Sequence, residues 1–205
     1  MKRIITINRE FGSGGYMIGQ QLAERMGWDF YDKRLVLRVA EETGYDPAFI
    51  RGEERRGDYE DGFGRLFSGL GLHTVDNLTP GETLWNAQQE VILKLAEQAK
   101  EKPFVIIGRC ADFILRDNDD ALNVFIYASR EKRLERLGKY PIYGQIENPE
   151  QAMKKKDKRR ASNYRQRTGQ EWGLIENYHV ALDSGVLGLV RCVDVLELLA
   201  SRERA

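Results

Sequence analysis

The chain has 205 residues, and its 32 Lys and Arg side chains balance 32 Asp and Glu side chains, so the formal net charge is zero. This balance argues against a uniformly basic nucleic-acid-binding protein, and no run approaches the roughly 20 apolar residues that a membrane-spanning helix needs. Two cysteines without a CxxC pair, and only two histidines, argue against a disulfide scaffold and a Cys/His zinc site. The composition predicts a cytoplasmic enzyme or binding protein.

The N-terminal segment predicts a strand, a glycine loop and a helix in direct succession. Ile4 to Ile7 form a short β-branched apolar run, which is typical of a strand buried on both faces. Glycines 12, 14 and 15 follow this run. Apolar residues then recur at helical spacing from Ile18 to Met26, and Gly27 predicts the end of that helix. This order of elements opens many phosphate-binding α/β folds.

Residues 41–83 predict an insertion of different character. Residues 41–61 contain eight acidic and three basic side chains, and residues 52–81 contribute seven glycines. Such a segment is typical of a mobile region that closes over a substrate. A solvated linker between helices is the alternative.

The rest of the chain alternates between predicted helices and strands. The predicted elements are an amphipathic helix at 85–100, strands at 104–107 and 123–127, a basic helix at 129–137, and a last strand or helix at 190–199. This alternation predicts an α/β fold, a three-layer α/β/α sandwich around a parallel sheet. We expect one domain over residues 1–205.

The glycine loop resembles a phosphate-binding loop but departs from its pattern. In GxxxxGK[ST], backbone N–H groups and the helix N-terminus hold phosphates, the lysine reaches the β- and γ-phosphates, and the hydroxyl ligates Mg²⁺. Gly12 and Gly14 fit this pattern, whereas Gly15 stands at the lysine position and Tyr16 at the Ser/Thr position. A phosphate-binding loop is therefore predicted without its usual cation and metal ligand, and an ordinary turn is the alternative.

Two arginines are candidates for the missing charge. Arg9 lies where the first strand meets the loop, and an ion pair with Glu10 is its structural alternative. Arg109 follows the second strand, so we expect it at the carboxyl edge of the sheet, where open α/β sheets bind ligands. Its planar guanidinium suits phosphate, although a structural ion pair would also explain it.

A basic run forms the strongest electrostatic feature of the sequence. Residues 154–167 hold eight basic side chains and one acidic side chain. Three interpretations stay open: a solvated helix face, a nucleic-acid backbone contact, or a lid that neutralises nucleotide phosphates. The glycine loop in the same chain favours the lid.

Several segments together resemble the cytidylate kinase-like family, relatives of bacterial cytidylate kinase among the P-loop nucleoside monophosphate kinases. The matching segments are ITINREFGSGGYMIGQQLAERMGWDFYDKRL, VIIGRCADFIL, NVFIYASREKRLERL, KKKDKRRASNYRQRTGQEWG and ENYHVALDS. They cover about half of the chain in the family's order. The resemblance implies a P-loop NTPase-type fold with the insertion on the substrate side and a basic lid at 139–175.

The resemblance also implies cofactors and site residues. ATP and Mg²⁺ would bind at the loop and at basic residues of the lid, namely Gly12, Ser13, Gly14, Gly15, Tyr16, Lys158 and Arg159. Asp32 and Lys33 fall where the monophosphate-side helix begins, and Arg109 falls on the arginine that meets the nucleoside monophosphate. Asp157 and Arg160 fall on the D-x-x-R spacing of the lid. The family's Gly-Arg-Asp triplet ends in a cysteine here, with the nearest acid at Asp112, which puts cytosine specificity in question.

These residues predict an ATP-dependent phosphotransferase that acts on a nucleoside monophosphate or a related small acceptor. Arg9, Arg109 and Arg160 are the expected catalytic cations. The alternative is a regulatory protein that binds a nucleotide or phosphometabolite without turnover. We expect a small nucleotide or phosphorylated acceptor as partner, and no membrane or nucleic acid, while a homodimer stays open.

Overall fold

The computed structural model describes residues 1–32 and 80–201. The chain divides into two compact units, one of Met1–Tyr31 with Ala96–Ala205 and the other of Asp32–Leu95. Most of the predicted insertion at 41–83 lies outside the described residues. Within the described ranges, no helix is both long and apolar enough to cross a membrane.

Five parallel strands form the sheet of the first unit. The strands are β1 (Ile4–Arg9), β2 (Asp29–Tyr31), β3 (Phe104–Ile107), β4 (Ala121–Tyr127) and β5 (Val180–Asp183). Their spatial order is β2-β3-β1-β4-β5, and every neighbouring pair is parallel. The carboxyl ends of β1 and β3 therefore lie side by side at the centre of the sheet, as the predicted α/β fold requires.

Helices connect the strands. They are α1 (Gly15–Met26), α2 (Pro80–Glu97), α3 (Ala111–Ile114), α4 (Arg130–Lys139), α5 (Pro149–Thr168), α6 (Ser184–Leu187) and α7 (Leu189–Ser201), with 3-10 turns at Pro141–Tyr143 and Ile175–Asn177. The segment at 190–199, predicted as a strand or a helix, belongs to α7. The 20-residue α5 carries the whole basic run at 154–167.

The two faces of the sheet differ in polarity because alternate strand residues point to opposite sides. One face is apolar and packs against α1 and α7. Its cluster includes Ile5, Ile7, Val105, Val124, Ile18, Leu22, Val193 and Leu196. The other face carries buried polar side chains beneath α3 and the end of α5, where the Tyr164 hydroxyl donates to Asp112 at 2.7 Å. Helical segments on both faces produce the predicted three-layer sandwich.

Candidate functional site

The glycine loop between β1 and α1 has a backbone that only glycine accommodates at two positions. Gly12 and Gly14 have φ angles of 84° and 83°, in the left-handed region. A Cβ on Gly12 would lie 3.0 Å from the Arg133 carbonyl oxygen, so the backbones also approach too closely for a side chain. Gly14 is the N-cap of α1 and gives the helix no side-chain cap. A helix N-terminus without a side-chain cap, reached by a glycine loop, is a favourable place for an anion.

Two buried arginines of α4 hold the carbonyl groups of this loop. The Arg133 Nε donates to the Phe11 carbonyl at 2.8 Å, and the Arg136 Nη1 donates to the Ser13 carbonyl at 2.7 Å. A trans peptide places its C=O and N–H on opposite sides. The N–H groups of Gly12 and Gly14 therefore point away from α4. The two arginines thus fix the direction in which the loop presents its donors.

Asp157 and Arg160, the residues predicted for the lid, contact the start of the same loop. The Asp157 carboxylate accepts a hydrogen bond from the Phe11 N–H at 2.7 Å and one from Arg133. The Arg160 Nη1 lies 3.3 Å from Asp157 and donates to the Arg9 carbonyl at 3.0 Å. The D-x-x-R spacing predicted for the lid therefore joins α5 to the glycine loop.

A second carboxylate balances the charge of Arg133. The Glu10 Oε1 lies 3.1 Å from the Arg133 Nη1, and the Glu10 Oε2 accepts from the Ala128 N–H at 3.2 Å. Burial raises the pKa of Glu10 above its ordinary value. The Lys156 ammonium lies 4.3 Å from the ring centroid of Phe11, which brings a further cation of α5 over the loop.

The side chain of Arg9 runs along the carboxyl edge of the sheet. A Cβ at Gly15 would lie 2.6 Å from the Arg9 Cβ, and a Cβ at Gly108 would lie 2.5 Å from the Arg9 Nη1. The aliphatic part of Arg9 therefore covers Gly15, and its guanidinium covers Gly108 at the end of β3. The Arg9 guanidinium, which the sequence predicts as a cation of the site, thus lies between the ends of β1 and β3.

Arg109 follows Gly108 in an unusual backbone conformation. The φ angles of Gly108, Arg109 and Cys110 are 68°, 62° and 51°. A left-handed conformation at a residue with a Cβ costs about 1–3 kcal/mol and is concentrated at functional sites. Arg109 is therefore held at the end of β3 at an energetic cost. The structure brings Arg9, Arg109 and Arg160 to one edge of the sheet.

Other residues expected at the site lie in different surroundings. The Tyr16 ring packs edge-on against Phe30 of β2 at 5.4 Å between centroids. Ser13 is fully buried, and its hydroxyl donates to the Glu10 carbonyl at 2.9 Å. Lys158 and Arg159 are exposed on α5.

The residues expected on the acceptor side lie at the end of the first described range. Asp32 is half-buried and directly follows β2. Lys33 lies outside the described residues. The acceptor-side roles of Asp32 and Lys33 stay predictions.

The acid nearest to Arg109 belongs to a buried polar network. Asp112 is 2% exposed and accepts hydrogen bonds from the Asn8 amide at 2.9 Å and the Tyr164 hydroxyl at 2.7 Å. Burial raises the pKa of Asp112 to about 6. Its carboxylate therefore links β1 to α5 from inside the protein.

Sequence reasoning did not single out three residues that shape the loop. The sequence predicts only a basic helix around Arg133 and Arg136, and no pattern in it marks Tyr143. The Tyr143 ring packs edge-on against Phe11 of the loop, with 5.4 Å between the ring centroids. Arg130, Arg133 and Arg136 are three residues apart, a spacing that places side chains on one helix face. The spacing indicates a shared face, but it does not distinguish the buried Arg133 and Arg136 from Arg130, whose side chain is 52% exposed.

The described residues suit a polyphosphate better than a metal ion. They contain no group of three His, Cys, Asp or Glu side chains that could hold a metal. Tyr16 packs on Phe30 at the position where a Ser or Thr hydroxyl would ligate Mg²⁺. A site rich in arginine and backbone N–H groups binds anionic oxygens. The described residues therefore do not fit a metal ion that the protein itself would hold.

Solved structures with a similar fold include kinases and an uncharacterised protein. The uncharacterised protein, from Eubacterium ventriosum, is 25% identical with a TM-score of 0.71, and the match covers 98% of this chain and 100% of that one. A shikimate kinase from Acinetobacter baumannii, solved with shikimate, is 20% identical with a TM-score of 0.51 and coverage of 100% and 97%. A gluconokinase from Sinorhizobium meliloti is 15% identical with a TM-score of 0.50 and coverage of 98% and 95%. These likenesses show a P-loop kinase-like fold.

Sequence comparison identifies the family. None of the curated proteins is similar enough in sequence to count as a relative. The model of the cytidylate kinase-like family matches residues 4–186, which include the whole sheet and the helices α1, α4 and α5. The chain belongs to the cytidylate kinase-like family.

Proposed function

We propose that this protein is an ATP-dependent phosphotransferase that acts on a nucleoside monophosphate or a related small phosphorylated acceptor. The observation that carries the proposal is the grouping of Arg9, Arg109 and Arg160 beside a glycine loop at the carboxyl edge of the sheet. A single anion-binding turn would not need three arginines from β1, β3 and α5. A reaction that moves a charged phosphoryl group between two anionic partners would need several such cations.

Catalysis in this proposal consists of positioning and charge neutralisation. The donor phosphates bind at residues 12–16, with Lys158 and Arg159 of the lid as further contacts, and the acceptor binds at Arg109. The bond between the γ-phosphorus and the oxygen that ADP keeps breaks, while a bond from phosphorus to an acceptor oxygen forms. Fixing both partners in line supplies most of the rate enhancement, and no covalent enzyme intermediate is required.

Arg160 is the cation proposed to stabilise the transferring group. The Arg160 side chain is 24% exposed, so part of it is accessible, while Nη1 contacts the Arg9 carbonyl at the loop. A single arginine on a transferring phosphoryl group is worth roughly 10³–10⁵ in rate. A metal would have to enter with the nucleotide, since the described residues offer no ligand set of their own.

A regulatory protein that binds nucleotides without turnover is the second candidate. Two N–H groups of the loop are already engaged, because Phe11 donates to Asp157 and Ser13 donates to the Glu10 carbonyl. Such a loop could hold a phosphate and report its presence without transferring it. Turnover is the property that separates the two candidates.

The test combines equilibrium binding with turnover. The purified chain is titrated with ATP and with CMP, each with and without Mg²⁺, and is then incubated with labelled ATP and a panel of nucleoside monophosphates and sugar phosphates. We expect binding and transfer to one acceptor, a loss of transfer of at least about a thousandfold in Arg160→Ala, and no loss in Arg116→Ala, which removes an exposed arginine paired with Asp117. Binding without transfer to any acceptor would favour the regulatory candidate. Equal transfer by wild type and Arg160→Ala would contradict the proposed role.

A further inference from the structure

We propose that Arg9 and Gly15 have exchanged the roles that the first glycine and the lysine play in a GxxxxGK loop. This inference rests on the proposed binding of a nucleotide triphosphate at the loop. The segment from Arg9 to Gly15 has seven positions, as many as the segment from G to K in that pattern. Arginine stands at the first position and glycine at the seventh, so glycine and cation are both present with their places reversed.

The first argument is steric. A Cβ built on Gly15 lies 2.6 Å from the Arg9 Cβ and 3.3 Å from the Ile126 Cβ. The Cβ positions follow from the backbone, so no change of rotamer separates them. A distance of 2.6 Å is well below the contact distance of two carbon atoms. Only one of the two positions can therefore carry a side chain while the end of β1 and the start of α1 stay where they are.

The second argument is the direction of the Arg9 side chain. Its Cγ lies 3.0 Å from the Cβ that Gly15 lacks, so the chain passes over Gly15. Its Nη1 lies 2.5 Å from the Cβ that Gly108 lacks, so the guanidinium ends over Gly108. Glycine at both positions leaves room for this path. The charge reaches the carboxyl edge from β1 rather than from α1.

The exchange also changes the kind of cation. A lysine offers a compact point charge, whereas an arginine offers a planar fork that donates two parallel hydrogen bonds to phosphate oxygens. Arg9 lies between the loop and the backbone that leads to Arg109. It is therefore placed to bind the terminal phosphates of a triphosphate at the side that faces an acceptor.

The test is a set of variants of the full chain, measured by calorimetric titration with ATP and with AMP and by thermal unfolding. Arg9→Ala removes the cation. Gly15→Lys adds a lysine against the Arg9 Cβ. The double variant Arg9→Gly/Gly15→Lys restores the GxxxxGK order and removes the steric conflict. Arg116→Ala serves as the control for the loss of an exposed arginine.

We expect Arg9→Ala to lose at least about tenfold in affinity for ATP, which corresponds to one charge-assisted hydrogen bond, and much less for AMP. Gly15→Lys should melt at a lower temperature than wild type and bind ATP more weakly. The double variant should recover both the melting temperature and the affinity relative to Gly15→Lys.

Three outcomes would overturn the inference. If wild type binds ATP and Arg9→Ala binds it equally well, Arg9 is not the cation, and the proposed function is unaffected. If Gly15→Lys is as stable as wild type, or the double variant is no more stable than Gly15→Lys, the two positions do not exclude each other. If wild type binds no ATP, the proposed function fails together with this inference.

Discussion

Replacing Asp157 with asparagine should loosen the attachment of α5 to the glycine loop. The carboxylate accepts from the Phe11 N–H at 2.7 Å, pairs with Arg133, and lies 3.3 Å from the Arg160 Nη1. Asparagine keeps one oxygen for the Phe11 N–H but loses the charge. Its amide N–H₂ group would face the Arg133 guanidinium, because the Phe11 N–H and the Arg160 Nη1 share the other oxygen. The variant therefore removes charge-assisted contacts while it conserves the size of the side chain.

The structure sets the expected magnitude of this loss. The Asp157 side chain is 18% exposed and that of Arg133 is 9% exposed, so water screens this pair only in part. Hydrogen bonds to charged groups contribute about 1.5–3 kcal/mol each, against about 0.5–1.5 kcal/mol for neutral ones. Arg133 keeps its contacts with Glu10 and with the Phe11 carbonyl. We expect the free energy of unfolding to fall by about 2 kcal/mol.

Urea unfolding of wild type, Asp157→Asn and Asp194→Asn measures this loss. Asp194 pairs with Arg25, whose side chain is 39% exposed, and Arg25 keeps a second partner in Glu197. The control should therefore lose no more than about 0.5 kcal/mol. Equal stability of the two variants would refute the conclusion that Asp157 holds α5 on the loop.

Three further predictions concern buried groups. Burial raises the pKa of Asp112 from its ordinary 3.8 to about 6, so the folded state binds this proton more tightly than the unfolded chain. The stability that the protonated Asp112 carboxyl contributes is then complete below pH 3.8 and is lost as the pH rises through about 6. Urea unfolding should show that the free energy of unfolding of Asp112→Asn rises relative to wild type by at most about 3 kcal/mol between about pH 4 and 8. Parallel pH profiles of the two unfolding free energies would contradict this. Burial raises the pKa of Cys110 to about 12 and that of Cys192 to about 11, so neither thiol should react with iodoacetamide in the native chain at pH 8, although both should react in urea. Gly12→Ala should lose about 1–3 kcal/mol in free energy of unfolding, because residue 12 has a left-handed backbone and its new Cβ would lie 3.0 Å from the Arg133 carbonyl oxygen of α4. The control Gly138→Ala adds a Cβ inside α4 that meets nothing within 4 Å, so it should be neutral or stabilising in the same assay.

The sequence predicts the fold well because the fold depends on local periodicity. The run Ile4 to Ile7 predicted a buried strand, and β1 extends from Ile4 to Arg9. The predicted strand at 123–127 begins two residues earlier, at Ala121. The sequence of residues 190–199 predicts a strand or a helix, because a short apolar run fits both. Packing against α1 stabilises the helix, because Val193 and Leu196 lie in the same core cluster as Ile18.

The site could be predicted only where sheet topology determines it. Because parallel strands end at one edge, Arg9 at the end of β1 and Arg109 just after β3 must lie near each other. Arg133 and Arg136 could not be assigned in this way. Arginine on a helix is usually solvated, and these two are 7% and 8% exposed only because the carbonyl groups of a distant loop accept their hydrogen bonds. Such burial depends on tertiary partners that no spacing within the helix identifies.

The missing lysine illustrates the difference between a motif and the physical requirement behind it. The attraction of a phosphate depends on where a positive charge lies in space and not on which sequence position supplies it. In this loop the end of β1 and the start of α1 approach so closely that one of residues 9 and 15 must be glycine, while the other is free to carry the cation. Arg9 and Gly15 satisfy that requirement as well as the usual order of glycine and lysine does. Arg9→Gly alone would leave glycine at both positions and remove the cation altogether, so it should lose at least about tenfold in ATP affinity without the steric conflict of Gly15→Lys.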